Sequence, residues 1–213
     1  MRLKLSALLA IFVCLSFGRA MAGDITILNY NFAAPVALPG SCGTNCSYDN
    51  GIIPDWTIAG GSTSAGVIEF GAGSGTNTAP GGGFAAWSNG PSITQTLSAT
   101  VVAGETYTLG VYLGERGDCC SFTSSGGITV GSTFYALTGT APSSGDWSLY
   151  TTTFVGTALN AGDPMTIDLY SSGAQGEFAD VTLNSTPEPS SLVLLGTGVL
   201  GLAGAARRRL ARR

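Results

Sequence analysis

The sequence contains no histidine, and its one lysine is Lys4. Between positions 23 and 189 a single basic residue, Arg116, faces all 13 acidic residues, a formal net charge of -12 that the whole-chain value of -4 conceals. These absences exclude histidine-based triads, lysine Schiff bases and most zinc sites from that span. No serine nucleophile motif and no cysteine with a basic partner compensates for them. An acidic surface of this kind repels phosphates, so nucleic acid is excluded as a partner. Long apolar runs are also scarce, and the two that occur are at the ends of the chain.

At the N-terminus, Met1 to Lys4 is short and basic and Leu5 to Phe17 is an apolar core. Ala20-Met21-Ala22 then supplies small residues around a cleavage point, so residues 1–22 read as a secretory signal peptide cut between Ala22 and Gly23. At the C-terminus three signals follow in order: Pro187-Glu188-Pro189, an uncharged stretch from Leu192 to Ala206, and five arginines within positions 207–213. The 15-residue stretch would reach about 22 Å as a helix, short of a ~30 Å hydrocarbon core. Ser190, Ser191 and snorkelling arginines cover part of the difference. The arginines argue against core burial, since they would enter it unpaired. A transmembrane helix at about 190–206 with its arginine-rich tail 207–213 in the cytoplasm is the expectation. Residues 23–189 then lie outside.

This tail resembles a PEP-CTERM sorting signal, carried by Pro187, Glu188, Pro189, the glycine-rich span and the arginine cluster. The resemblance implies an exosortase as partner, an intermediate anchored in the inner membrane, and release or transfer to the cell surface or extracellular medium. It covers residues 187–213 and concerns route, not activity.

Four cysteines remain after signal cleavage: Cys42, Cys46, Cys119 and Cys120. An even count in an exported domain points to disulfides. Three pairings are possible, and the strain of a bond between adjacent Cys119 and Cys120 favours two bridges joining the 42/46 loop to the 119/120 loop.

The span 23–186 has the length of one domain. It is rich in Gly, Ser and Thr, and β-branched or aromatic runs recur between turn clusters. Alternation is cleanest at Thr106 to Leu113, where Tyr107, Leu109, Val111 and Leu113 share a face. Other runs lie at 25–32, 67–70, 84–87, 93–97, 128–137, 147–155, 165–170 and 178–183. Together they predict an all-β fold, an antiparallel jelly-roll β-sandwich. Asn29 to Phe32 with Pro35, Ile53-Pro54-Asp55-Trp56, the segment 92–116 and the closing run Glu177 to Leu183 resemble galactose-binding-like jelly rolls, the fold of many carbohydrate-binding modules. That resemblance implies a structural calcium site, with Asp180 and Asp24 as candidate ligands; Ala33 and Ala179 depart from its usual acidic pattern. No other cofactor is implied.

Sugar rings stack on exposed aromatics. Tyr48 and Phe122, in the cysteine-bearing loops, are the glycan-binding candidates, while Trp56 and Trp147 at strand starts read as core. Glu115 and Asp118 could form the paired acids of a glycosidase, but the run Glu115-Arg116-Gly117-Asp118 reads first as a charged turn with a local ion pair. The sequence therefore predicts no catalytic residue and no enzyme. It predicts an exported, exosortase-processed surface or matrix protein associated with exopolysaccharide. A calcium-dependent carbohydrate-binding module and a polysaccharide hydrolase are the alternatives.

Overall fold

The computed structural model describes residues 23–34 and 36–187, with Gly198, Gly201 and Arg208 beyond them. The expected signal peptide, Glu188, Pro189 and, apart from those three residues, the expected span and arginine tail lie outside the described residues. Among the described residues no helix is long and apolar enough to cross a membrane.

Residues Gly23–Ser185 form a compact unit. Its strands are β1 (Gly23–Asp24), β2 (Gly40–Gly43), β3 (Cys46–Tyr48), β4 (Thr57–Ile58), β5 (Ala65–Phe70), β6 (Phe84–Ser88) and β7 (Ile93–Thr100). They continue with β8 (Glu105–Gly114), β9 (Ser124–Val130), β10 (Thr133–Ala136), β11 (Trp147–Val155), β12 (Pro164–Ser171) and β13 (Gly176–Pro187). One sheet has the order β11-β8-β13-β6-β5-β3-β2, with β1 paired to β13; the other runs β10-β9-β12-β7-β4. The ladders are antiparallel, and the two sheets make the predicted β-sandwich.

Alternation decides which side chains enter the sandwich. Tyr107, Leu109, Val111 and Leu113 of β8 are all buried, opposite Met165, Ile167 and Leu169 of β12 in the same core. Two of the predicted runs end differently. In 25–32 the strand stops after Asp24, because Asn29 and Phe32 take left-handed backbone angles and the Asn29 side chain bonds Pro54 O and Ala34 N. The run 128–137 is broken by Gly131, at φ 57, into the β9–β10 hairpin.

The larger sheet is buried on its outer face as well. Ile68 and Phe70 of β5, Ala85 and Trp87 of β6 and Ala179 of β13 form a second apolar cluster with Cys46 and Ala79, joined by Tyr48, Tyr112 and Trp147. The glycine-rich loop 71–83 is the lid on this cluster and is pinned at several points. Asn77 N bonds Gly145 O at 2.8 Å, Trp147 Nε1 donates to Asn77 O at 2.9 Å, and Asn45 Nδ2 donates to Ala72 O at 2.7 Å. Ala79 from the loop is fully enclosed.

Strand β13 serves both cores through one irregularity. Phe178 faces the sandwich and Ala179 the outer cluster, but Val181 and Leu183 face the sandwich again. Asp180, at φ 47, is the extra residue of a bulge that shifts the alternation by one.

Candidate active site

A cleft of about 420 Å³ opens at the β2–β3 end of the larger sheet. That is room for a small molecule. Tyr48, Ile68, Trp87 and Cys42 supply its apolar walls; Ser41, Asn50, Thr63, Ser64, Asn89 and Gln175 supply uncharged polar groups, and Arg116 the one charge. Tyr48 meets Trp87 edge-on, ring centroids 6.2 Å apart. The indole is fixed by its Nε1–H bond to Asp49 O at 3.1 Å. Gly66 makes that approach possible, since a Cβ there would lie 2.0 Å from the Asp49 carbonyl oxygen and 3.1 Å from Trp87 Nε1.

Next to this cleft sits Glu177. It pairs with Trp87 across β13 and β6, and Gln175, just ahead of β13, is two residues away in the chain, so two of the cleft's wall residues lie beside it. Its backbone is anchored: Glu177 N donates to Ser124 Oγ at 3.0 Å, and that hydroxyl donates to Gly114 O at 3.0 Å. The side chain is 1% exposed, and neither carboxyl oxygen has a hydrogen-bond partner. Burial raises its pKa from the usual carboxylate range to about 8, partly countered by the Arg116 charge and reinforced by Asp118. At neutral pH Glu177 is therefore a neutral carboxylic acid carrying a proton.

Arg116 and Asp118 hold each other. Nε and Nη2 of the guanidinium reach the two carboxylate oxygens at 2.8 and 2.5 Å, and Nη1 donates to Gln175 Oε1 at 3.1 Å. This is the local ion pair anticipated for the charged turn, and it keeps the Asp118 carboxyl below its ordinary pKa. The pair presents no net charge to Glu177, which leaves burial as the dominant influence there.

The other sequence candidates fall as follows. Tyr48 lines the cleft, whereas Phe122 packs against Tyr150 at 5.8 Å on the main core and is no part of it. Trp56 is core, beside Phe32 at 5.3 Å, and Trp147 belongs to the outer cluster against Phe70. The disulfides differ from expectation, joining Cys42 to Cys46 and Cys119 to Cys120. The tight β2–β3 turn brings Cys42 within 5.1 Å of Cys46, Cα to Cα. Cys46 is thereby buried under the outer cluster, while Cys119 is exposed on another loop, so no bridge joins the loops. Asp24 pairs with Asn184 and borders a separate cleft, whereas Asp180 sits beside Asn31 and Gly81. Among the described residues no group of three or more acidic, histidine or cysteine side chains could hold a metal.

In the sequence Glu177 stands out only as the first residue of the closing run Glu177 to Leu183. The sequence model of a family described as HpiC1 cyclase matches residues 23–184. The chain belongs to the HpiC1-like cyclase family. That membership overturns the expectation of a non-enzymatic protein. A second match, to the PEP-CTERM protein-sorting motif, covers residues 185–209 and makes this an exported chain that passes through a membrane-anchored intermediate to exosortase processing.

Solved structures similar to the HpiC1-like domain include the Stig cyclase Fisc from Fischerella sp. TAU in complex with (3Z)-3-(1-methyl-2-pyrrolidinylidene)-3H-indole. It is 24% identical, with 79% of this chain and 100% of that one covered and a TM-score of 0.67. A cyclase from the same organism in complex with 4-(1H-indol-3-yl)butan-2-one is 22% identical over 78% and 98%, at 0.63. At these identities the likeness shows a shared fold. A family 22 carbohydrate-binding module of Clostridium thermocellum Xyn10B, 17% identical over 66% and 91% with a TM-score of 0.44, carries no weight for function. No curated protein matches the chain.

Proposed function

We propose that the exported domain is an acid-initiated cyclase whose proton donor is Glu177. The observation that carries this reading is a buried, unpartnered carboxylic acid with its pKa raised to about 8, flanked by two residues of an aromatic-walled cleft. A perturbed acid in such a place is matched to proton transfer near neutrality.

The chemistry balances within the substrate and one carboxyl group. Glu177 gives its proton to an electron-rich double bond, whose π pair forms the new C–H bond and leaves a cation on the adjacent carbon. A second π bond of the substrate attacks that carbon, forming the ring C–C bond. Loss of a proton from the resulting cation restores the double bond and returns the proton to the Glu177 carboxylate. The net change is isomerisation, without oxidant or metal. Trp87 and Tyr48 offer aromatic faces that stabilise a cation by about 0.5–2 kcal/mol each. The uncharged polar rim orients a neutral substrate through hydrogen bonds. Glu177 does not itself line the cleft, so contact with a substrate requires a movement of the wall, and the half-buried Gln175, bonded to Arg116, is the wall residue nearest to it in the chain.

Two of the similar structures hold indole compounds, and this supports an indole as the substrate class. We assign the site an indole bearing an unsaturated side chain. The working place of the enzyme is the cell surface or extracellular medium, after exosortase cleavage at or near Pro187-Glu188-Pro189.

The test incubates the purified exported protein with indoles carrying a pendant alkene in deuterated water and follows ring closure by mass spectrometry. Ring closure with deuterium at the protonated carbon, lost in Glu177→Gln, supports the assignment. Equal turnover by Glu177→Gln overturns it.

A further inference from the structure

One wall of the cleft is a hairpin with few bonds to the rest of the sheet. Strand β2 is a four-residue edge strand that pairs with β3 alone, and the three residues of β3 pair onward to β5. This hairpin supplies Ser41, Cys42 and Tyr48 to the cleft. Gly40 lies under the Tyr48 ring, where a Cβ would come within 2.5 Å of Cζ, so the ring's place depends on closure of the hairpin. That closure is covalent. The bond runs from Cys42, in the cleft wall, to Cys46, which is 3% exposed and packed in the outer cluster with Ile68, Phe70 and Trp87.

A short edge pairing opens locally at little cost, and a cross-link removes the open forms. The sorting motif takes the chain out of the cytoplasm, where thiols stay reduced, into surroundings where disulfides persist. We propose that Cys42–Cys46 is a redox clamp on the cleft: its formation after export completes the Tyr48 wall, and its reduction lets β2 and β3 open and disables the site. The effect on turnover rests on the cyclase reading; the opening of the hairpin does not.

In the oxidation, the thiolate of one cysteine attacks a sulfur of an exchange partner's disulfide and displaces the other sulfur as thiolate. The second cysteine thiolate then attacks the mixed disulfide, and the partner leaves as a dithiol carrying both electrons and both protons. Reduction by a dithiol runs the same steps backwards. Chain still inside the cell therefore has an open cleft, and activity begins where the sorting signal delivers the protein. Cys119–Cys120 joins neighbours in the chain, closes no strand pair and lines no part of the cleft.

The experiment is hydrogen exchange read by mass spectrometry on the purified exported protein. The samples are the oxidised protein, the same protein in dithiothreitol, and the variants C42S/C46S and C119S/C120S. The proposal expects residues 40–48 to exchange about tenfold or more faster in dithiothreitol and in C42S/C46S, with β8 and β12 unchanged. C119S/C120S should behave as the oxidised protein. Should C42S/C46S fail to fold, the dithiothreitol sample decides. Unchanged exchange over 40–48, or acceleration spread equally through β8 and β12, overturns the clamp. Indole-alkene turnover in the same samples should fall at least about tenfold when the hairpin opens, a loss of ~1.4 kcal/mol. A hairpin that opens in a protein inactive even when oxidised retains the clamp and removes the cyclase reading; full turnover with the hairpin open overturns the clamp's role at the site.

Discussion

Glu177 concentrates the cost and the use of this site in one side chain. An unpaired carboxylate in its place would forgo solvation, and holding the proton avoids that cost. The folded pKa of about 8 stands above the unfolded value of 4.5, so the unfolded chain releases this proton first. The group's contribution to stability is accordingly complete below the unfolded value and is lost as pH rises through about 8. Urea unfolding across that window should show stability falling by up to about 1.4 kcal/mol per pH unit, and Glu177→Gln should flatten that slope while lowering turnover by about 100-fold or more. The neighbouring pair sets the position of the same titration. Asp118→Asn leaves the Arg116 charge unopposed, favours the Glu177 carboxylate and moves the basic limb of the pH–rate profile to lower pH. Arg116→Met moves it to higher pH. A purely structural role would change the rates of both variants without moving the limb in opposite directions.

The strands show which parts of this arrangement the sequence made legible. Alternation in β8 is decided by nearest neighbours, and Tyr107, Leu109, Val111 and Leu113 all point where it says. The burial of Glu177 is not local in that sense. By period two, Glu177 lies on the face opposite Phe178, which in a one-sided strand is solvent; here loop 71–83 and the neighbouring aromatics cover that face. A signal was present in the continuous apolar runs Val67-Ile68 and Ala85-Ala86-Trp87, which mark strands buried on both faces. The bulge at Asp180 was hidden for a different reason, since a left-handed residue inside a strand leaves no composition signature. Its role is conformational: Asp180→Gly should be tolerated within a few tenths of a kcal/mol, whereas Asp180→Val should cost about 1–2 kcal/mol, read as thermal midpoints. Gly66→Ala tests the close approach at the cleft. The added Cβ meets backbone at Asp49, which cannot give way like a side-chain tip, so a loss of about 2–3 kcal/mol is expected. Displaced Trp87 should make turnover fall further than the fraction unfolded accounts for.

At the scale of the molecule, the two ends and the body obey different physics, and export separates them. Eight of the nine basic residues lie at positions 2–19 and 207–213, so removing both ends leaves Arg116 as the domain's one basic side chain. That residue is engaged by Asp118 and Gln175, which leaves the acidic groups of the surface without mobile cationic side chains to pair with. The mature domain should therefore be held back by anionic surfaces at low ionic strength and be indifferent to them when salt shortens the ~10 Å screening length at 0.1 M. The cleft is the exception within this field: the one charge in its lining, Arg116, is paired with Asp118, which suits it to an uncharged substrate that the surface charge neither attracts nor repels. Gly23, the first residue after the expected signal cut, pairs in β1 with Ser185, two residues before the sorting motif. Intact-mass measurement of the extracellular protein should find a chain starting at Gly23, ending near 187–189 and 4 Da lighter than its fully reduced form, the loss of two hydrogens for each of two disulfides. An extracellular chain that keeps its arginine tail would separate this protein's export from exosortase cleavage. One lacking the 4 Da difference would mean that export does not leave both disulfides formed.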